Sequence, residues 1–498
     1  MSPPNDNHSR DAAVIDIGSN SVRLVVYRLE GRAIWTMFNE KVLAGLGRDV
    51  ARTGRLAPEG VAATLTTLKR FRAVLDAFDG AQVFVVATAA VREAADGPAF
   101  VAAVKAETGF EVRVLSGVEE ARYSAFGVLA GSPHANGVVG DLGGSSLELT
   151  RVANGEAHEG LSLPLGPFAF RGAEGFDPIR ARGRTTKILE QIDDDFAART
   201  FYAVGGGWRN LALLHMRIAD YPLQIVHQYE IAAADALDAA RFIARQSKGS
   251  LERIPGVSKR RLETIPYAAI VLESLIGRLG VERVRMSAYG LREGLLFEAM
   301  EPEIRALDPL IEGCGAMGAR EGSDPELGSA LEAWLTPVFS KLTPLFDGRD
   351  LKFVSAACRL ADLGARLHPD HRADLVFEQV LRAPISGITH PERAFLAAAL
   401  FARHTASAPM PDGELLSRIL SDDRLHRARA LGAAIRLGCD LSGRSSRLLG
   451  KSRLEIQGAA IRLSADDRWA DMLLGEQTSK RASTLADQLG LGLKIGGR

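Results

Sequence analysis

The chain has 498 residues, too many for a single hydrophobic core, so about two to four domains are expected. Its apolar fraction of 46% is ordinary for a soluble protein, and its 61 basic and 61 acidic residues cancel, which argues against a dedicated nucleic-acid binder. Three scattered cysteines argue against a disulfide framework or zinc site, and the absence of a signal-peptide core or a membrane-length apolar run predicts a cytoplasmic protein without a membrane partner.

The first quarter of the chain alternates strand and helix patterns. Three strand candidates come first, in AAVID, VRLVVYRLE and AIWTMFNEKVLAG. A helix is predicted over 58–78, because Pro58 suits a first turn and apolar residues then recur at helical spacing. The apolar run QVFVVATAAV predicts a buried strand, and a helix over 98–108, a strand in FEVRVLS and a helix over 119–129 follow.

The same pattern restarts at Gly137. NGVVGDL, SSLELTRV and EAHEGLSLPLG are again three strand candidates, followed by a helix over about 178–198. The strand TFYAVGGG leads into another helix, and the strand VERVRMSAYG leads into the helix LREGLLFEAM. Two similar α/β halves therefore fit residues 11 to about 300.

Beyond residue 301 the pattern changes to mostly helical, rich in Ala, Leu and Arg. After residue 446, SRLEIQGAAIRLS alternates like a strand pair and TSKRASTLADQLG like a helix. We therefore expect four domains: two α/β domains over 1–133 and 134–302, a helical domain over 303–445 and a small α+β domain over 446–498.

Two stretches of the α/β halves, AVIDIGSNSVRLVVY and GVVGDLGGSSLELTRV, have nearly the same pattern. Each places a turn of small residues between two strands, and the exposed amides of such a turn suit a phosphate group. The first turn consists of Gly18, Ser19, Asn20 and Ser21, and the second of Gly143, Gly144, Ser145 and Ser146. One copy would be ordinary turn chemistry, but two copies in matching contexts predict facing cradles for two neighbouring phosphoryl groups.

An aspartate opens each turn, and a third glycine-rich turn follows later. Asp16 and Asp141 lie at strand ends, where a carboxylate can hold Mg²⁺ or its waters beside a phosphate. The third turn contains Gly205, Gly206 and Gly207 between a strand and a helix. It can seat a nucleotide, a further phosphate or no ligand.

Six segments carry a family resemblance: AVIDIGSNSVRLVVY, VVATAAVREA, VLSGVEEARYSAFGV, VVGDLGGSSLEL, AVGGG and YGLREGLLFE. In this order they resemble the exopolyphosphatase / guanosine pentaphosphate phosphohydrolase (Ppx/GppA) family, in its long bacterial form. The resemblance implies an α/β actin-like fold for residues 11 to about 300: the duplicated ribonuclease H-like fold of actin, sugar kinases and heat-shock chaperones. It implies a helical HD-like fold for the region that follows.

The resemblance also implies roles for single residues. Glu120 matches the catalytic glutamate that activates the attacking water, and Glu148 a second carboxylate that places water or metal. Arg92 and Asn20 match contacts to the phosphate. Asp16 and Asp141, with Glu148, would serve Mg²⁺, since converging carboxylates repel one another without a cation. Read alone, Glu120 could be a first-turn helix residue and Arg92 a surface ion-pair partner.

The sequence departs from the family pattern in two places. Ser145 stands where the family has a third glycine, which would strain the backbone if that position required a positive φ. In the helical region Ala361 precedes Asp362 where a metal-binding HD site needs His-Asp, so no second metal centre is predicted. The histidines of that region are expected to be polar surface or core residues; they are His368, His371, His390 and His404.

The expected function is a Mg²⁺-dependent exopolyphosphatase that releases orthophosphate from inorganic polyphosphate. The alternative is a guanosine pentaphosphate (pppGpp) 5′-phosphohydrolase, or one protein with both activities. Two more distant alternatives are an actin-like ATPase or kinase and a non-catalytic regulator. A homodimer is expected from the resemblance, and two basic stretches are candidate paths for a polyanion: Arg180, Arg182, Arg184 and Lys187, and Lys259, Arg260 and Arg261.

Overall fold

The computed structural model describes residues 9–170, 177–246, 248–253, 264–322, 324–406 and 408–497. The chain divides into two compact units, Met1–Ala306 and Leu307–Arg498. The finer division into four domains stays a prediction. Among the described residues, no helix combines the length and apolarity that a membrane span requires.

The first unit begins with a five-stranded sheet in the order β3-β2-β1-β4-β5. The first three strands are antiparallel neighbours, whereas β4 pairs in parallel with β1 and β5 in parallel with β4. Its strands are β1 (Ser9–Ile17), β2 (Val22–Glu30), β3 (Ala33–Val42), β4 (Gln82–Ala87) and β5 (Arg113–Val114). The helices of this half are α1 (Val50–Thr53), α2 (Pro58–Leu75), α3 (Ala89–Glu93), α4 (Gly97–Thr108) and α5 (Gly117–Gly131).

The second sheet of this unit has six strands in the order β10-β11-β9-β6-β7-β8. Its strands are β6 (Gly137–Leu142), β7 (Leu147–Ala153), β8 (Glu156–Leu163), β9 (Thr200–Val204), β10 (Glu230–Ala232) and β11 (Arg283–Met286). The helices are α6 (Pro178–Leu189), α7 (Gly206–Ile218), α8 (Ala233–Ala244), α9 (Lys248–Glu252), α10 (Ile265–Leu279), α11 (Leu291–Glu298) and α12 (Pro302–Ala306).

The two sheets repeat one topology. Three antiparallel strands are followed by two parallel ones in both, β1 to β5 and β6, β7, β8, β9 and β11. The second sheet adds β10, antiparallel at its edge. The predicted duplication and the actin-like α/β fold are therefore confirmed. β1 and β6 occupy matching positions inside their sheets, so the two small-residue turns leave equivalent strand ends.

The predicted elements are mostly present, but several of them end earlier than the sequence patterns predicted. Val14, Ile15 and Ile17 of β1 are fully buried, as expected of an apolar run covered on both faces. Helix α2 ends at Leu75 rather than at 78, and α6 ends at Leu189 rather than at 198. The run QVFVVATAAV is a strand only to Ala87, because its last residues begin α3.

The second unit is mostly helical, as predicted. Its helices are α13 (Pro309–Ala319), α14 (Leu327–Phe339), α15 (Asp350–Arg359), α16 (Arg372–Arg382), α17 (His390–His404), α18 (Gly413–Ile419), α19 (Asp422–Ser442), α20 (Ser446–Leu449), α21 (Asp467–Leu473) and α22 (Glu476–Leu489). The predicted strand pair is a hairpin, β12 (Ser452–Gln457) and β13 (Ala460–Ala465). A further strand, β14 (Gly492–Gly497), pairs in parallel with β13 and was not predicted.

Candidate active site

The two small-residue turns have the same backbone geometry. In the first, the amide of Gly18 donates to the carbonyl of Ser21 at 3.0 Å, and in the second the amide of Gly143 donates to the carbonyl of Ser146 at 3.0 Å. Ser145 is absent from the residues with positive φ, so serine fits this position without the strain that a left-handed backbone would impose. The departure from the family's glycine therefore leaves the turn intact.

Each turn is supported from behind by a loop. In the first, the amides of Gly47 and Gly45 donate to the carbonyls of Ser19 at 2.8 Å and Asn20 at 3.1 Å. In the second, the amides of Gly166 and Phe168 play the same part for the carbonyls of Ser145 at 3.1 Å and Gly144 at 2.8 Å. Since the turn carbonyls are bonded on that side, both turns are held in fixed conformations.

The two turns face each other directly. The hydroxyl of Ser145 donates to the hydroxyl of Ser19 at 3.0 Å. A Cβ on Gly144 would lie 3.1 Å from Cβ of Ser19, closer than most Cβ contacts, so this close approach favours glycine. The cleft beside them has a volume of about 290 Å³. Most of the predicted site residues line it: Asp16, Gly18, Ser19, Asn20, Ser21, Glu120, Asp141, Gly143, Gly144, Ser146, Glu148, Gly205, Gly206 and Gly207.

Two predicted residues stand behind the lining of this cleft. The side chain of Ser145 forms the bridge to Ser19. The guanidinium of Arg92 is bonded through Nη1 to Oε2 of Glu120 at 2.5 Å and to the carbonyl of Leu115 at 2.8 Å. In this structure Arg92 therefore contacts the predicted catalytic carboxylate.

Glu119 and Glu120 follow each other at the start of α5 but have opposite surroundings. Glu119 completes a capping box with Ser116 and pairs with Arg113, so its pKa falls to about 2, chiefly through the Ser116 amide and then Arg113. Glu120 is only 5% exposed, and burial raises its pKa to about 7 against the opposing effect of Arg92. Glu119 is a helix-capping residue, whereas Glu120 is a buried acid in the cleft.

Two more carboxylates line the cleft, half-buried Asp141 on β6 and buried Glu148 on β7. Asp141 accepts a hydrogen bond from Ser124 Oγ at 2.5 Å, and burial raises its pKa to about 6. Glu148 accepts from Ser162 Oγ at 2.9 Å, and its pKa is raised well above the ordinary value by burial and then by the charge of Glu120. These groups hold excess negative charge in a poorly solvated place, which a bound cation would relieve.

The donor set fits a divalent cation that is only partly held by protein. Asp16 and Asp141 end equivalent strands, and their charges act on each other. Within the residues that the structure describes, no three His, Cys, Asp or Glu side chains come close enough together to hold a metal by themselves. Magnesium commonly takes one or two carboxylates and completes its shell with water and phosphate oxygens.

Several site residues were missed by the sequence reasoning. Arg292 lies 3.4 Å from Oδ2 of Asp16 through Nη1, and its neighbour Glu293 accepts from the hydroxyl of Tyr27 at 2.6 Å. Arg292 lies in YGLREGLLFE, a segment that carries the family resemblance but to whose residues the sequence analysis assigned no function. Arg23 lines the cleft two residues beyond Ser21 on β2, so strand alternation could have identified it.

The third glycine turn also borders the cleft. Gly205 has φ of 106°, and a Cβ there would lie 2.5 Å from the carbonyl oxygen of Leu142 and 3.2 Å from Oδ1 of Asp141. It precedes α7 without a side-chain cap, so the first turn of that helix keeps free amides at the cleft. Arg209, which forms no ion pair with another described residue, stands on the same turn and lines the cleft.

In the second unit, an arginine side chain lies beside Asp362 and offsets its negative charge. Oδ1 of Asp362 lies 3.7 Å from Nε of Arg444, and Nε2 of His404 lies 3.1 Å from the carbonyl of Leu363. Burial, and then Arg403, lower the pKa of His404 to about 3. His390 is buried, whereas His368 is exposed beside Asp370. The predicted lack of a second metal centre stays a prediction.

Of the two basic stretches predicted as paths for a polyanion, the structure describes only the first. Arg182 pairs with Glu273 at 2.8 Å, and Arg184 donates to the carbonyl of Ala169 at 2.6 Å. Lys259, Arg260 and Arg261 lie outside the described residues.

Comparisons with known proteins identify the family of the chain. Residues 25–303 match the Ppx/GppA phosphatase family, and residues 347–495 match the C-terminal domain of exopolyphosphatase. The chain belongs to the Ppx/GppA phosphatase family. The predicted family and the class of enzyme, a phosphoanhydride hydrolase, are thereby confirmed.

Individual relatives are distant and mostly match the first unit. Exopolyphosphatase 1 of Mycobacterium leprae is 26% identical over 303 residues, covering 58% of this chain and 89% of the relative. Retrograde regulation protein 2 of Saccharomyces cerevisiae is 26% identical over 438 residues, covering 80% and 73%. The crystal structure of the Aquifex aeolicus Ppx/GppA family member superposes with a TM-score of 0.52 at 26% identity, covering 58% of this chain and 96% of that one.

Proposed function

We propose that the protein is an exopolyphosphatase that releases orthophosphate from the end of inorganic polyphosphate. The observation that carries the proposal is the apposition of the two turns, joined by the hydrogen bond between Ser19 and Ser145, with Glu120 in the same cleft. Adjacent amide cradles suit adjacent phosphoryl groups of a chain. The exopolyphosphatases among the relatives support this choice of substrate.

Each part of the reaction has a residue suited to it. The turn amides hold the last two phosphoryl groups, and Glu120 orients a water molecule and accepts its proton as the oxygen attacks the terminal phosphorus. The bond from that phosphorus to the bridging oxygen breaks, so orthophosphate is released and the shortened chain keeps the bridging oxygen. A base with a pKa of about 7 is half ionised near neutral pH, which is close to the optimum for general-base catalysis. Arg92 pairs with Glu120 through Nη1 before substrate arrives, and its other terminal nitrogen, Nη2, can donate to the phosphate oxygens.

The reaction also requires charge neutralisation by a cation. Phosphatases of this family depend on divalent metal ions, and we propose Mg²⁺ for this protein. Asp16 and Asp141 would hold the ion beside the phosphate, water and phosphate oxygens would complete its shell, and Glu148 would place one of those waters. The ion would neutralise the charge that develops on the phosphate oxygens. Arg292, against Asp16, keeps that carboxylate oriented toward the cleft.

The family also includes pppGpp phosphohydrolases, so the second candidate substrate is guanosine pentaphosphate. The observation that favours it is the third turn, Gly205 to Gly207, whose helix amides and Arg209 border the same cleft and can bind further phosphates. A homodimer and a cytoplasmic location stay predictions. An ATP-dependent kinase or a purely binding regulator fits the site less well, because neither needs Glu120 and Glu148 buried beside the turns.

Orthophosphate release from long-chain polyphosphate and from pppGpp, run side by side with Mg²⁺, tests the proposal. Glu120→Ala should lower kcat about 10²- to 10⁴-fold, the usual contribution of a general base, which reduces turnover to near the detection limit. Glu119→Ala is the matched control, since Glu119 caps the same helix outside the cleft. Faster turnover of pppGpp than of polyphosphate would move the assignment to the second substrate. An unimpaired Glu120→Ala variant would contradict the assigned base.

A further inference from the structure

The second unit contains a small cavity far in sequence from the catalytic residues. It lies between the end of α17 and the facing stripes of α19 and α22, and Phe401, Arg429, Ala433, Arg436, Arg481 and Thr484 are among its lining residues. Its room of about 40 Å³ holds about three water molecules. A single phosphoryl group is of similar size, and the cavity is partly open to solvent, so the rest of a small ligand can extend along its wall.

Two arginines of this cavity converge on one carboxylate. Nε of Arg481 lies 2.8 Å and Nε of Arg436 3.9 Å from Oδ2 of Asp440. Both side chains are mostly buried, 17% and 21% exposed. In the amide orientation that satisfies both groups, Gln477 accepts from Nη2 of Arg481 at 2.9 Å. Arg436 forms no hydrogen bond with another described side chain, so most of its donor fork is unused.

Two further guanidinium groups add to this positive charge. Arg429 on α19 lines the cavity and makes no ion pair or hydrogen bond with any residue that the structure describes. Arg403, only 6% exposed, likewise donates no hydrogen bond within the described ranges, although its charge acts on Asp362. Burial lowers the pKa of Arg436, and Arg481 and Arg403 lower it further, so these cations repel one another. An anion bound between these arginines would offset the repulsion among their charges.

The rest of the lining is apolar. Phe401, Ala402, Met410 and Ala433 form the wall beside the arginines. A bare inorganic ion would use only the charged side, whereas a ligand with a small apolar group would use both.

We propose that this cavity binds a small phosphate monoester whose phosphate lies among Arg429, Arg436 and Arg481 and whose apolar group rests on Phe401 and Ala433. Arginine forks match phosphate oxygens in geometry, and a dianion offsets the excess positive charge that Asp440 leaves uncompensated. The site is distinct from the catalytic cleft and does not depend on the proposed substrate.

Hydrogen-exchange mass spectrometry of the full chain with phenyl phosphate tests the proposal, because it reports α19 and α22 separately from the catalytic turns. Phenyl phosphate should protect residues 429–440 and 481–488, and more strongly than inorganic phosphate at equal concentration. Arg429→Gln and Arg436→Gln should each weaken the affinity about tenfold or more, the loss of one charge-assisted hydrogen bond. Arg453→Gln, which removes an exposed arginine of β12, is the control and should bind like the unaltered protein.

Three results would overturn the proposal. The first is no protection of these two helices by phenyl phosphate. The second is equal protection in Arg429→Gln, Arg436→Gln and Arg453→Gln. The third is equal protection by phenol, which has the ring without the phosphate. Since Arg429 has no hydrogen-bond or ion-pair partner among the residues that the structure describes, its variant should fold normally. Phosphate release from polyphosphate checks that the variant is intact.

Discussion

Replacing Glu120 by glutamine should stabilise the metal-free protein while it abolishes turnover. The carboxyl of Glu120 has a pKa of about 7 in the folded chain against 4.5 in an unfolded one, chiefly because of burial. The folded state therefore prefers the protonated acid. The penalty is absent below pH 4.5, grows as the pH rises through about 7, and is complete above that range.

The size of this effect follows from the same two values. The rise from 4.5 to about 7 corresponds to about 3 kcal/mol at roughly 1.4 kcal/mol per pH unit. Glutamine resembles the protonated acid, so Glu120→Gln should match the unaltered protein at pH about 5 and exceed its unfolding free energy by about 1–3 kcal/mol at pH about 8. The charges of Asp141 and Asp16 also raise the pKa of Glu120, so they act in the same direction as burial.

Hydrogen exchange in β1 and β6, measured with a chelator present, reports the unfolding free energy of the first unit. Glu119→Gln is the control on the same helix. The pKa of Glu119 is lowered to about 2, so its ionised form is favoured by folding, and the variant should be destabilised at both pH values. A Glu120→Gln protein that is equally destabilised at pH about 5 and about 8 would refute the account of a desolvated base.

Three further substitutions test the geometry of the cleft. Ser145→Gly should lower the free energy of unfolding, measured with urea, by about 1 kcal/mol. The hydrogen bond to the hydroxyl of Ser19 is lost, and since Ser145 does not have a positive φ, glycine relieves no backbone strain in return. A gain in stability would show that the serine backbone is strained. Gly166→Ala should disrupt the second turn, since a Cβ would lie 2.4 Å from the amide nitrogen of Ser145. The free energy of unfolding should fall by about 1–3 kcal/mol, and phosphate release should be lost. The control is Gly183→Ala on α6, where a Cβ meets no atom within 4 Å and activity should stay unchanged; equal effects of the two changes would contradict the supporting role of the loop. Ser124→Ala removes the donor that opposes the raised pKa of Asp141, so the acidic limb of the pH profile of kcat/KM should move to higher pH; an unmoved limb would exclude Asp141 from the titration.

The features that the sequence revealed are those set by local pattern. The duplicated strand-turn-strand stretches were visible because a small-residue turn between apolar strands needs only neighbouring residues, and β1, β2, β6 and β7 lie where that pattern placed them. Strand β10 has three residues and α10 is buried on nearly every side, so neither gives a clear alternation or an amphipathic period, and both were missed.

Tertiary contacts explain the residues that the sequence could not assign. Arg292 is 276 positions from Asp16, and Ser162 reaches Glu148 from the neighbouring strand β8. The different environments of Glu119 and Glu120 depend on Arg113 and on Arg92, which sequence spacing does not place. The meeting of Ser19 with Ser145 likewise depends on how the two sheets are arranged in the first unit, although their similarity suggested that the turns would face each other.

In the proposed site, the paired turns bind consecutive phosphoryl groups next to a glutamate base. A crystal structure of the Glu120→Gln protein with Mg²⁺ and a short polyphosphate tests it most directly. The two terminal phosphoryl groups should lie on the amides of Gly18–Ser21 and Gly143–Ser146, with the side chain at position 120 directed at the terminal phosphorus. A phosphate chain bound away from both turns, or with its end turned from position 120, would contradict it.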